Sequence, residues 1–213
     1  MQVFAKASDR QNVPRIQLLT IWFGANDACL PGEQQHVPLH EYKQNLSTLI
    51  HMVRDPGSQW YSPETRIILI TPPPVNTHQW IEFLRTCDHP KDYSDRQFDI
   101  TKQYAEAAKE VGKAENVPVV DTWTLLWEAC GRDEHSLPKF LTDGLHLNAE
   151  AYKVRELRAP HACELRFITE NLYKMVFNSL MKTISDSYPE MHYERLNMVY
   201  PRYVCSQVIG LFI

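Results

Sequence analysis

Residues 15–23 read RIQLLTIWF and run directly into Gly24-Ala25-Asn26-Asp27. A short, nearly continuous apolar run is the pattern of a strand buried on both faces, since neither side of its pleat is kept polar for water. The four residues that end it form a turn. The pattern recurs at residues 66–71 (RIILIT), stopped by Pro72-Pro73-Pro74, and at residues 117–120 (VPVV), followed by Asp121. Helical periodicity fills the gaps. Leu39, Tyr42, Leu46, Leu49, Ile50 and Val53 have the three-and-four spacing of an amphipathic helix, with Pro38 suited to its first turn. Ser94 with Gln97 resembles a capping box that opens a long helix with the stripe Phe98, Tyr104, Ala105, Ala108 and Val111. A short helix is expected around residues 123–130, then a polar linker, the segment FLTDGLHLN (residues 140–148) and a last helix from near Ala149. Buried strands alternating with helices imply an α/β fold with a parallel sheet covered on both faces. In such sheets sites form at the carboxyl ends of the strands, so Asn26, the Pro-rich turn and Asp121 are expected on one rim.

The 213 residues suit one domain, with 44% hydrophobic and 23% charged residues. The net charge of −4 comes without long runs of either sign, which gives no support for a nucleic-acid or anionic-membrane partner. The five cysteines (Cys29, Cys87, Cys130, Cys163, Cys205) are scattered without a C-x-x-C pair and read as reduced thiols of a cytoplasmic protein. The first residues, MQVFAKASDR, have no apolar core of a secretory signal. The apolar tail VCSQVIGLFI is far shorter than the ~20 residues of a spanning helix.

Two clusters carry chemistry. Asn26, at a strand end, offers a side-chain N–H to a developing oxyanion. Asp143 lies three residues before His146, close enough within one loop to hold the imidazole in the tautomer a general base needs. Either cluster alone reads as an ordinary turn. Both together, each at its structural place, are far more specific.

On these residues the chain resembles the SGNH (GDSL-type) hydrolases. FGAND (residues 23–27) is similar to the family's third motif block and DGLHL (residues 143–147) to its fifth. The strings LLTIWFGANDACLP, VPLHEYKQNL and FLTDGLHLNAEAY look like its isoamyl-acetate-hydrolysing esterase branch, over roughly residues 8–153 and 175–203. The resemblance implies a three-layer α/β/α flavodoxin-like fold and hydrolysis of small short-chain esters, without a cofactor or metal. It implies Asn26 as side-chain oxyanion donor, Gly24 in the same turn, His146 as base and then acid, and Asp143 as its orienting partner. In the family the nucleophile stands in a G-D-S motif after the first strand, ahead of the third block. None of this chain's serines has that context, so the expected nucleophile is missing and the first two strands with it. The family's first strand pairs with the strand ending at Phe23. Without it that edge is expected to be open and the chain to self-associate. The competing class is therefore a non-catalytic protein, a truncated product or pseudoenzyme that keeps only the binding of small esters or partners.

Weaker features complete the reading. Ser58, in a polar turn, is the nearest imitation of the missing nucleophile and reads as a turn serine. Cys29 reads as a small buried apolar residue rather than a substitute nucleophile. His36 and His40 are four apart, but Pro38 between them and the lack of a third ligand favour exposed loop histidines over a metal pair. Trp60, Tyr61 and Trp80 either line a substrate pocket or pack. Residues 154–174 interrupt the helical pattern: with them removed, Tyr152, Val176, Phe177, Leu180, Met181 and Ile184 keep a three-and-four spacing. Their first and last residues allow splice-site codons, so a retained intron is expected, with a genuine family-specific insertion as the alternative, and residues 204–213 read as an aberrant apolar tail.

Overall fold

The computed structural model describes residues 6–8, 16–148, 171–191 and, in the backbone, 208–212. β1 (Leu18–Trp22), β2 (Arg66–Ile70) and β3 (Val119–Val120) form where the three apolar runs stand, and all pair in parallel. A fourth strand, β4 (Val208–Phe212), pairs in parallel with the other edge of β1, giving the order β3-β2-β1-β4. Its register runs from Leu18↔Val208 to Trp22↔Phe212. This corrects one expectation: the edge of β1 is not open, since residues 208–212 of the tail pair with it. The physical reason is that an exposed strand edge is a template, and VIGLF is apolar and β-branched enough to pair with it.

Alternate residues of β1 and β2 feed the two faces, as the pleat requires. Leu19, Ile21, Ile67 and Leu69 pack against Tyr42, Leu46, Ile50 and Val53 of α1 (Leu39–Arg54) and Tyr104, Ala107, Ala108 and Val111 of α3 (Phe98–Ala114). Leu18, Ile68, Ile70 and Val120 pack against Ile184, Leu180 and Met181 of α5 (Asn171–Ser187) and Leu125 of α4 (Thr122–Ala129). The fold is therefore α/β, with helices on both faces of a parallel sheet. Each fully buried Leu, Ile or Val side chain among these contributes about 1.5–3 kcal/mol by leaving water.

Several helix ends differ from expectation. Pro38 is the N-cap residue of α1, not part of its first turn; its carbonyl accepts from the Tyr42 N–H. Ser94 does not cap α3, whose cap residue is Gln97 without a side-chain bond. The Ser94 hydroxyl instead donates to the Arg96 carbonyl, and the Thr77 hydroxyl accepts the Phe98 N–H across from another helix. That helix, α2 (Thr77–Leu84), has no counterpart in the expected elements; Asn76 caps it by accepting the Gln79 N–H at 2.7 Å. The helix expected from Ala149 falls outside the described residues, as does most of the segment 154–174. Its last residues, Asn171 to Lys174, form the start of α5, so the helix does extend upstream of Met175. Among the described residues no helix is long and apolar enough to cross a membrane.

Candidate active site

The turn after β1 is built around Gly24 and Asp27. The Asp27 carboxylate accepts the Gly24 N–H at 2.9 Å and closes the loop on itself. Burial pushes the Asp27 carboxyl up, against the N–H bonds it accepts. Gly24 has φ +115°, and a Cβ there would lie 2.8 Å from the Tyr42 hydroxyl and 2.9 Å from Pro72 Cγ. The turn thus needs glycine for conformation and for space. It presents Asn26, half-buried, at the carboxyl end of β1.

The second cluster is a tight loop. Leu141 and Leu147 form an isolated bridge, and the Thr142 N–H donates to the His146 carbonyl at 2.7 Å. Inside it Asp143 Oδ1 accepts the backbone N–H groups of Leu145 and His146, and Oδ2 lies 2.7 Å from His146 Nδ1. Burial works against the Asp143 charge, but the bonds from the His146 ring and the two N–H groups outweigh it and hold its carboxyl below the ordinary value. The Asp143 side chain is 12% exposed and the His146 ring 68%, so the carboxylate is set behind the ring and the ring faces out. Among the described residues no hydroxyl is hydrogen-bonded to His146 Nε2.

The loop docks on the segment that follows β2. The Asn76 N–H donates to the Gly144 carbonyl at 2.8 Å. Gly144 has φ +102°, and a Cβ on it would lie 2.5 Å from the Trp80 nitrogen. Leu145 joins Val75, Trp80 and Leu84 in a small apolar cluster against which Ala25 packs. Trp80 thus stands between the two motifs. Its ring meets His146 edge-on at 6.3 Å between centroids, and the Arg96 guanidinium lies 5.0 Å over it. Arg96 in turn donates to Asn26 Oδ1 at 3.0 Å. Asn26 and His146 therefore belong to one frame on the carboxyl-end rim of the sheet.

Of the other sequence candidates, Trp80 reaches this frame by its side chain and Cys29 by its backbone, whose N–H donates to the Asn26 carbonyl at 3.1 Å and which bridges Arg96. Trp60, Tyr61 and Ser58 lie in the turn between α1 and β2, where the strands begin, at the opposite end of the sheet. The Ser58 hydroxyl accepts the Trp60 N–H there. Cys29 is buried, and burial pushes its thiol up despite nearby Arg96, which suits a packing residue. His36 Nδ1 is hydrogen-bonded to the Cys29 carbonyl at 2.6 Å, and His40 sits exposed in the first turn of α1. Asp121 is on the rim but caps α4, accepting the Thr124 N–H and hydroxyl and a bond from Lys109. Sequence reasoning missed Arg96 and Asp95. An arginine in a polar stretch before a helix carries no sign that it is to be buried.

Comparison with known proteins agrees with the motif reading. Residues 2–154 match the GDSL-like lipase/acylhydrolase family. A GDSL esterase/lipase of Arabidopsis thaliana is 35% identical over 143 residues, which cover 64% of this chain and 54% of that protein. The isoamyl acetate-hydrolyzing esterase 1 homolog of Mus musculus is 36% identical over 134 residues, covering 61% and 49%. This chain thus spans about half the length of the curated relatives it matches. Among solved structures, a lipase/acylhydrolase from Enterococcus faecalis is 30% identical, with a TM-score of 0.45, over 65% of this chain and 56% of that one. A match reaching from before β1 to the end of the Asp143–His146 loop takes in both motifs and most of the sheet, and by it the chain belongs to the GDSL-like lipase/acylhydrolase (SGNH) family.

Proposed function

We propose that this chain carries the base and side-chain oxyanion donor of an esterase acting on small, short-chain esters. The observation that carries the reading is the Asp143–His146 contact of 2.7 Å, with the ring largely exposed and, among the described residues, no partner at its far nitrogen. With Nδ1–H held by Asp143, Nε2 is left unprotonated to accept a proton. In the reaction a serine Oγ bonds to the ester carbonyl carbon while Nε2 takes its proton. The carbonyl π pair moves to oxygen, where the Asn26 amide donates to it. Collapse of this intermediate expels the alcohol, which leaves with the proton from Nε2. Water then repeats the sequence on the acyl-serine and releases the acid. Gly24 keeps the Asn26 turn in the conformation that presents the amide. The reading takes the serine to come from a G-D-S segment that residues 1–213 do not contain. The family names of the relatives, isoamyl acetate-hydrolyzing esterase among them, support a small ester as substrate.

The second reading is a non-catalytic ester-binding protein. It is favoured by the absence, among the described residues, of any hydroxyl bonded to Nε2. Hydrolysis of an aryl acetate separates the two. Chain 1–213 is expected to turn over no faster than its His146→Ala variant. Joined to a G-D-S strand segment, it is expected to hydrolyse the ester, with losses on the order of 10⁶-fold on His146→Ala and about 10²–10³-fold on Asn26→Ala. His146-dependent turnover by chain 1–213 itself would show that another residue serves as nucleophile. A folded but inert joined chain would favour the non-catalytic reading.

A further inference from the structure

An amide donates or accepts depending on which edge it turns outward, and only a fixed amide is a dependable oxyanion donor. Arg96 fixes that choice for Asn26. Its side chain is buried, with the residue 3% exposed, and each of its nitrogens is engaged. Nε donates to the Ala25 carbonyl at 3.1 Å and Nη1 to Asp95 Oδ1 at 2.9 Å. Nη2 donates to Gln35 Oε1 at 2.6 Å and to Asn26 Oδ1 at 3.0 Å. A guanidinium has donors and no acceptor, so the Asn26 atom turned toward it has to be oxygen. The planar amide then points Nδ2 the other way, and among the described residues Nδ2 has no hydrogen-bond partner.

We propose that Arg96 is a positioning residue of the site, which locks the Asn26 amide with its N–H edge outward and so makes it an oxyanion donor. The proposal rests on the reading of Asn26 given above. The guanidinium does more than orient. A cation bonded to Oδ1 draws electron density from the amide and strengthens its N–H groups as donors. The buried charge is itself balanced: Asp95 accepts from Arg96, from Lys91 at 2.9 Å and from the Trp80 indole at 2.8 Å. Asp95 Oδ1 holds Trp80 and Arg96 together, and Trp80 carries the His146 edge contact. The donor and the base are thereby referred to one rigid group. Lysine cannot replace this arrangement, because a single ammonium does not present the planar fork that reaches Ala25, Asp95, Gln35 and Asn26 together.

The test needs no turnover, so a folded but inert chain joined to a G-D-S segment would count against the esterase reading and leave this result standing. Chain 1–213 with ¹⁵N label reports the Asn26 side-chain N–H pair directly. Arg96→Lys keeps the charge beside Asp95 and is expected to move both Asn26 signals to the positions of a solvent-exposed asparagine. The backbone signals of α3 beyond its first turn are expected to stay. Purely structural support by Arg96 would not single out the Asn26 amide. Asn26→Asp and Asn26→Ala give an independent reading by thermal unfolding. A carboxylate accepts from Arg96 as the amide oxygen does, so Asn26→Asp is expected to unfold at or above the parent temperature, and Asn26→Ala a few degrees below it. Unchanged Asn26 signals in a folded Arg96→Lys chain would overturn the proposal. So would an Asn26→Asp chain that unfolds as early as Asn26→Ala, and this comparison decides alone if Arg96→Lys fails to fold.

Discussion

Asp143 performs two tasks with two oxygens: Oδ1 folds the loop through the Leu145 and His146 N–H groups, and Oδ2 orients the His146 ring. Asparagine keeps one acceptor and puts an N–H₂ where the other stood, so it opposes a ring N–H or loses a loop bond. Asp143→Asn is expected to cost about 1–3 kcal/mol at neutral pH. The sign of its pH dependence follows from the lowered folded-state pKa. Such a group contributes stability that is fully present above its unfolded value near 4 and is lost as pH falls through the lower folded value. The gap in unfolding temperature between parent and Asp143→Asn should therefore be widest at pH 6 and close toward pH 2. A gap that stays constant down to pH 2 would refute this account of the Asp143 carboxylate. The pair was legible in the sequence because both residues sit in one short loop, and local spacing decides what a loop can reach. Asn26 was legible because a strand end precedes it. Arg96 and Asp95 were not, since they meet Asn26 and Trp80 only after α2 and α3 have packed, and nothing local marks that meeting.

At the scale of elements, α2 and the 142–147 loop hold each other in place. Asn76 caps α2 with Oδ1, donates its N–H to the Gly144 carbonyl and its side-chain N–H to the Glu134 carbonyl at 2.5 Å. Gly144 is the point of closest approach. A Cβ there would meet backbone, the Trp80 nitrogen at 2.5 Å and the Asn76 oxygen at 2.8 Å, which cannot swing aside as a side chain can. Gly131 offers the control: its φ is +74°, and nothing lies within 4 Å of its Cβ position. Gly131→Ala should cost only the left-handed backbone penalty of about 1–2 kcal/mol. Gly144→Ala should cost clearly more and should raise amide exchange in the first turn of α2. Equal costs for the two would mean that the loop does not bear on α2. The strands and the long helices were readable in advance because a continuous apolar run and a three-and-four stripe each need many residues to agree. α2 was not. It is short, follows three prolines, and has its first N–H, that of Thr77, met by the Glu134 carboxylate, a group distant in sequence. The ends of α3 were misjudged for the same reason, as Ser94 turned inward and Thr77 supplied the bond to Phe98.

For the whole molecule, the strand at the far end of the chain decides whether the sheet has a bare edge. β1 pairs with β2 on one side along Leu18 to Ile21, and with β4 on the other along Leu18 to Trp22. In sequence the tail looked like an apolar appendage, since a five-residue run says nothing about which edge it will meet. Its value to the fold comes from the backbone. With β4 gone, the N–H and C=O groups along the outer edge of β1 lose their partners, and the edge belongs to a strand whose Leu18, Leu19 and Ile21 are core residues. A flat apolar edge of that kind pairs with the same edge of another chain. Deleting residues 204–213 is therefore expected to add a concentration-dependent association that the parent lacks, and to lower the unfolding temperature by several degrees at concentrations too low for that association. Sedimentation at a series of concentrations reads the first effect, and thermal melting at the lowest of them reads the second. A peptide of residues 204–213 added to the shortened chain should bind that edge and reverse the association. A shortened chain that stays monomeric and melts with the parent would show that β1 does not depend on β4.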